Sequence, residues 1–213
     1  MPSRSWLPAR WWWLIVALLL SGGCGRPPVV LQRYLLEYPP PPVSRPAPLP
    51  ESLRVELFAA PHHLNSTNMV YRPRPYELKA YAYHRWQAPP AALVTDMLLR
   101  DLRASGLFQG VFDYQQSGTA RFRLEGAVQE FTEVDNPEGW QAVLSVWVTL
   151  ADLRQVEVTR RVILARNYQE TEPLVEQTPA GLAAAMSRAL ARLSARITAD
   201  LCDAARRVGG VAP

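Results

Sequence analysis

The chain has 213 residues with 23 basic and 19 acidic side chains, a net charge of +4 that is too mild to recommend a nucleic-acid partner. Its two cysteines, Cys24 and Cys202, exclude a disulfide framework and offer no metal site. The length suits one domain with a real hydrophobic core. The first organised stretch is Trp11–Leu20, ten apolar residues that follow Arg4 and Arg10 and run into Ser21-Gly22-Gly23. A cationic start, a short apolar middle and small residues at the end have the build of a secretory signal. Ten residues rise only ~15 Å as a helix, about half of a bilayer's hydrocarbon, which argues against a permanent span.

Cys24 directly after the small residues makes this signal resemble that of a bacterial lipoprotein. The resemblance implies cleavage after Gly23, lipid on Cys24, a tether over residues 24–32, a folded domain over 33–206 and a flexible end over 207–213. Ser21 stands where the lipobox usually has leucine, and Leu20 sits one place earlier. An ordinary signal peptide with a chance cysteine is the alternative. Removing residues 1–23 leaves 190 residues with 21 basic against 19 acidic groups, a net charge of +2. Cys202 then remains as a lone thiol late in a helical segment, expected to be buried.

Between Arg26 and Pro50 nine of twenty-five residues are proline, a composition that favours extended, semi-rigid chain. Tyr34-Leu35-Leu36-Glu37-Tyr38 interrupts the prolines and predicts a short strand; disorder through residue 50 fits the same composition. Leu53–Phe58 alternates and predicts a strand. A polar loop over Ala60–Arg74 holds His62, His63 and Asn65 and closes with Met69-Val70-Tyr71-Arg72. Pro73 and Pro75 mark a turn before a second alternating strand, Tyr76–Tyr81. Residues Tyr83–Pro90 lead into a helix with Leu93, Met97, Leu98 and Leu102 on its apolar stripe, ended by Ser105-Gly106.

Three more strands follow. Phe122, Leu124 and Val128 share one face, with Gly126 keeping the inward phase without a side chain. Asp135–Gly139 makes a turn. Trp140, Ala142, Leu144, Val146, Val148 and Leu150 share a face of the next strand, and Val156, Val158, Val162 and Leu164 begin a third that reaches about Tyr168. Leu182, Met186, Leu190, Leu193, Ile197 and Leu201 then recur at helical spacing, with Arg188, Arg192, Arg196 and Asp200 largely off the stripe. The expected fold class is α+β: a two-layer arrangement of an antiparallel sheet with two helices packed on one face.

Residues with chemical potential are few. His62-His63 lacks a carboxylate or thiolate at ligand spacing and reads as a solvated loop. His84 has no nucleophile motif to serve, and no G-x-S-x-G, H-E-x-x-H or phosphate-binding glycine loop occurs. Glu125 and Glu130, five apart, are expected on opposite faces of one strand. Arg72, Arg74, Lys79 and Arg85 lie among Tyr71, Tyr76, Tyr81, Tyr83 and Trp86. Arginine mixed with aromatic side chains suits a partner or anionic-headgroup surface, and equally a sheet edge with packed tyrosines. Trp147 falls out of phase with the core face of its strand, which makes it a candidate contact with another subunit.

Several of these residues, in this order, carry a resemblance to a family. Met69-Val70-Tyr71-Arg72, Tyr81, Arg85-Trp86-Gln87-Ala88-Pro89-Pro90, Ser105-Gly106-Leu107-Phe108 and Phe122–Gly126 with Val128 and Phe131 resemble the auxiliary lipoproteins of ABC-type transport systems, over residues 33–205. Where that family commonly has P-x-Y-L, this chain has Pro61-His62-His63-Leu64. The resemblance implies a non-catalytic component of a lipid-trafficking system, without cofactor or metal. Its implied partners are an MCE-domain protein, an ABC permease and an ATPase, reached through Tyr71, Arg72, Arg74, Arg85, Trp86 and Trp147, with room for a homo-oligomer. Gly25 rather than aspartate after Cys24 implies sorting to the outer membrane, with the domain on its periplasmic face. Two other classes fit the inventory: an outer-membrane assembly or cell-wall-regulatory lipoprotein, and a periplasmic hydrolase with an unfamiliar site.

Overall fold

The computed structural model describes residues 30–42, 47–116 and 118–209. The signal segment, Cys24, most of the tether and residues 210–213 lie outside the described residues. From Leu31 onward the chain forms one compact unit. Its strands are β1 (Gln32–Tyr34), β2 (Leu49–Val55), β3 (Asn68–Arg74), β4 (Glu77–Trp86), β5 (Phe108–Asp113), β6 (Phe122–Asn136), β7 (Gly139–Asp152) and β8 (Val162–Pro173). Helix α1 spans Pro90–Ser105 and α2 spans Pro179–Gly209.

The sheet is built on β6 and β7, which pair along their whole lengths, from Phe122 opposite Asp152 to Asn136 opposite Gly139. On the far edge of β6 two shorter strands lie end to end. β2 runs parallel to its first part, Leu53 beside Phe122, and β3 runs parallel to its last part, Tyr71 beside Glu133. The loop between them follows the same edge, with Ala59 bridged to Ala127. β5 extends β2, while β4 and β1 extend β3. The eight-stranded sheet is therefore mixed, not purely antiparallel as expected: β1–β4, β2–β5, β2–β6 and β3–β6 are parallel pairs. Alternation reports that one face is covered. It carries no sign of strand direction, which depends on the connections between strands.

Both helices cover one face, as the α+β reading requires. α1 begins at Pro90, whose missing N–H falls where helices leave donors unpaired, and ends at Gly106 in the left-handed conformation, φ 63°. The α2 stripe from Leu182 to Leu201 is buried against Leu144, Val146 and Val148 of β7 and Val128 of β6 in one core. Cys202 is a buried free thiol in that helix. Gly126 is where Phe58 crosses the sheet, since a β-carbon there would stand 2.5 Å from the Phe58 ring. The helical residues off the stripe have a structural role that periodicity did not show. Arg188, Arg192 and Arg196 reach Glu170 and Glu172 of β8, and Asp200 takes Arg166 and the Tyr168 hydroxyl, the latter at 2.7 Å.

Three local expectations change. The first strand ends at Tyr34, and Leu36 and Tyr38 pack on the helices instead. There the Tyr38 hydroxyl donates to buried Asp101 at 2.8 Å, Ser194 of α2 donates to the same oxygen at 2.6 Å, and Arg100 holds the other oxygen at 2.7 Å. Val156 and Val158 belong to the β7–β8 connection and a short 3₁₀ turn, Val158–Arg160, and β8 starts at Val162. At the other end of the chain α2 continues to Gly209, so residues 207–209 are helical.

Candidate docking surface

With both helices on one side, the opposite face of β6, β7 and β8 is open. Phase decides which side chains it shows. Ala127, Trp147 and Asn167 form one cross-strand row, and Ser145 lies beside Gln129 and Asn167 at 3.3 and 3.2 Å. Trp147 is 41% exposed, its indole N–H donating to Thr149 Oγ1 at 3.2 Å on the same strand. A large ring stands here among small and polar side chains, with no element above it among the described residues.

A register shift at Gln129 extends this face. The β6–β7 pairing skips Gln129, passing from Val128–Val146 to Glu130–Ser145, as a β-bulge does. The extra residue reverses the parity of all that follows. Glu125 and Glu130 therefore share the open face, contrary to expectation, but do not act as a pair: Glu125 meets Arg123 at 2.9 Å and Glu130 meets Arg72. Arg72, Glu130, Thr132, His63 and Tyr76 border an open depression of about 380 Å³ beside the β3–β4 hairpin.

The same bulge turns Glu133 and Asp135 to the helix-bearing side, in phase with Phe131. Glu133 is fully buried and accepts a 2.7 Å hydrogen bond from the Tyr81 hydroxyl, while its other oxygen has no partner. Burial pushes its carboxyl up to about 7, the Asp135 charge adds to this, and the Tyr81 bond opposes it. Burial and the Glu133 bond push the Tyr81 phenol above its ordinary range. Between the ordinary 4.5 and about 7 the folded chain keeps a proton that the unfolded chain has lost, so this group's contribution to stability declines as pH rises through that window. Glu133→Gln should remove the decline and stabilise the domain at pH 8 by up to roughly 3 kcal/mol. Urea melts of both proteins at pH 5 and pH 8 test this; parallel shifts in the two proteins would dismiss it.

The residues singled out by sequence separate on this framework. Arg72 and Trp147 lie on the open face. Tyr71 faces the other way, its ring 4.9 Å from that of Tyr81 and tilted by 42°. Arg74 is exposed at the hairpin tip and pairs with Glu77 at 3.0 Å. Arg85 spends its guanidinium on the carbonyls of Tyr81 and His84. Trp86 is 1% exposed, packed edge-on against Phe131 at 5.0 Å, so its ring is a core element and not a surface contact. β4 does not stop at Tyr81: it runs through Trp86, and β1 pairs beside it, Tyr34 opposite Trp86, which closes that edge. His62 and His63 form a 3₁₀ turn with both imidazoles exposed. Sequence reasoning did not single out Glu133 or Asp135; their only signal was a polar pair breaking an apolar phase.

The comparisons with known proteins agree with this architecture. A solved structure of protein XCC0632 from Xanthomonas campestris superposes with a TM-score of 0.75 at 19% identity, covering 84% of this chain and 99% of that one. An uncharacterised protein of known structure superposes with a TM-score of 0.64 at 17% identity, covering 81% and 99%. At these identities the likeness is one of fold. No curated protein sequence matches. The family model for the ABC-type transport auxiliary lipoprotein component matches residues 34–198, from β1 through most of α2. The chain belongs to the family of ABC-type transport auxiliary lipoprotein components.

Proposed function

We propose that this chain is a non-catalytic docking component of an envelope lipid-transport system. Lipid on Cys24 holds it at the periplasmic face of the outer membrane, where it receives an MCE-domain protein served by an ABC permease and ATPase. The observation that carries the docking role is the open sheet face with Trp147 at its centre. Tryptophan and arginine are the residues on which interfaces concentrate their energy, and an uncovered indole among small polar groups is an anchor awaiting a pocket. Arg72 supports the same surface: paired with Glu130, its side chain is still 40% exposed at the edge of the depression. The Arg121–Asp152–Glu51 cluster at the other end of the sheet is spent on itself, which favours a structural over a chemical role for it.

Trp147→Ala and Arg72→Glu should each weaken capture of the MCE-domain protein at least about tenfold while leaving the melting temperature nearly unchanged, as expected for exposed interface residues. Capture at the wild-type level by both variants would remove this face from the interface.

A further inference from the structure

One end of the sheet carries apolar groups that packing does not use. Tyr76, at the turn from β3 to β4, has φ 68°, a left-handed backbone that residues with a β-carbon seldom hold, and its ring is fully exposed. Val175, in the β8–α2 connection, is 86% exposed. The register places both at the same end. Arg74 faces Glu77 at the hairpin tip, Arg72 lies beside Val134 near the end of β6, and Pro173 faces Gln141 near the start of β7. Three strand spacings, about 14 Å, separate β3 from β8 there.

Strand direction fixes the side from which the chain enters β1. β1 is parallel to β4, with Gln32 opposite His84, and β4 starts at the hairpin tip. The chain therefore enters β1 from the tip side. Glu77 to His84 is about 23 Å of strand. Eight links from Cys24 to Gln32 reach at most about 28 Å. The opposite end also exposes valines, Val156 at 91% and Val158 at 70%. Through the β1–β4–β3–β6 pairings Gln32 lies level with Phe131, and Phe131 to Phe122 alone is about 30 Å before that far turn begins. A doubled-back tether falls short of it.

We infer that the Tyr76 end of the sheet rests on the membrane that holds Cys24, with Tyr76 and Val175 in the interfacial layer. The inference rests on the lipid-anchor reading above. Tyrosine suits that layer because its ring is apolar and its hydroxyl remains hydrated. Charge does not drive the contact: Arg74 and Lys79 both pair with Glu77, at 3.0 and 2.8 Å, and Glu138 and Glu176 stand exposed in the neighbouring turns. The contact therefore does not require anionic lipid. Glycine would fill this turn without strain, whereas tyrosine brings an exposed ring to it.

The test uses the full lipidated chain in vesicles of phosphatidylcholine with brominated acyl chains, with and without phosphatidylglycerol. A fluorophore is placed on Tyr76→Cys, Val175→Cys or Val156→Cys; buried Cys202 takes no label. Bromine quenching should be several-fold stronger at 76 and 175 than at 156, in both lipid mixtures. Equal quenching at 76 and 156, or stronger quenching at 156, overturns the inference while the anchor stands. Failure of the chain to float with the vesicles overturns the anchor reading, and the inference with it.

Discussion

Trp86→Ala should lower the unfolding free energy by roughly 3–5 kcal/mol, the range for emptying a buried aromatic site. Trp86 is among the largest fully buried side chains, set edge-on to Phe131, and its backbone N–H donates to Thr67 at 2.7 Å. Trp86 is the last residue of β4, just before α1, and its ring packs on β6, so the cavity would open inside the core. Denaturant melts measure the loss. Trp147→Ala supplies the contrast, since a partly exposed ring on the open face should cost under about 1 kcal/mol. If the two substitutions cost the same, the division of these tryptophans into core and surface is wrong.

Arg121→Ala should be comparably damaging, at roughly 3–5 kcal/mol, because it strands a buried charge. The Arg121 guanidinium holds Asp152 at 2.8 Å and Glu51 at 2.6 Å and donates to the Val208 carbonyl at 3.1 Å, joining β6, β7, β2 and the end of α2. Asp152 is fully buried. Burial alone would raise its carboxyl, but the Arg121 bonds and charge, with the Arg154 backbone N–H, outweigh burial and hold it below its ordinary value. A depressed carboxyl contributes stability that is present above its unfolded value and lost as pH falls through the folded one. The variant should therefore lose stability at neutral pH and show a shallower acid transition than the parent. Unchanged melting at pH 7 would make this cluster an ordinary surface group.

The parts of the fold that sequence made legible are those set by local period. Both helices, the α2 stripe, the β6–β7 hairpin and the inward phase at Gly126 follow from apolar spacing, which burial enforces directly. What escaped depends on partners distant in sequence. β5 has only Phe108 buried and shows no alternation, and its place beside β2 comes from the α1 crossover. The bulge at Gln129 adds one residue without a compositional mark, yet it decides that Glu130 joins the open face and Glu133 enters the interior. The valines at 156 and 158 alternate like a strand, but Glu157 and the arginines after them close a turn instead. Trp147 was legible because an indole breaking phase on a long strand has nowhere to go but outward. Trp86 was not, because its burial depends on packing against Phe131, distant in sequence, and nothing in the local pattern marks that contact.

These features describe a domain with one face covered by helices and the other left open by them. The open face is central to the proposed function, which is docking there. A photo-crosslinking side chain at position 147, in the full chain expressed with its envelope system, reports on it most directly. Crosslinks should join position 147 to an MCE-domain protein and fall away when Arg72 is changed to glutamate. Crosslinks only to lipid, to other copies of this chain or to an unrelated envelope protein would contradict the proposed docking.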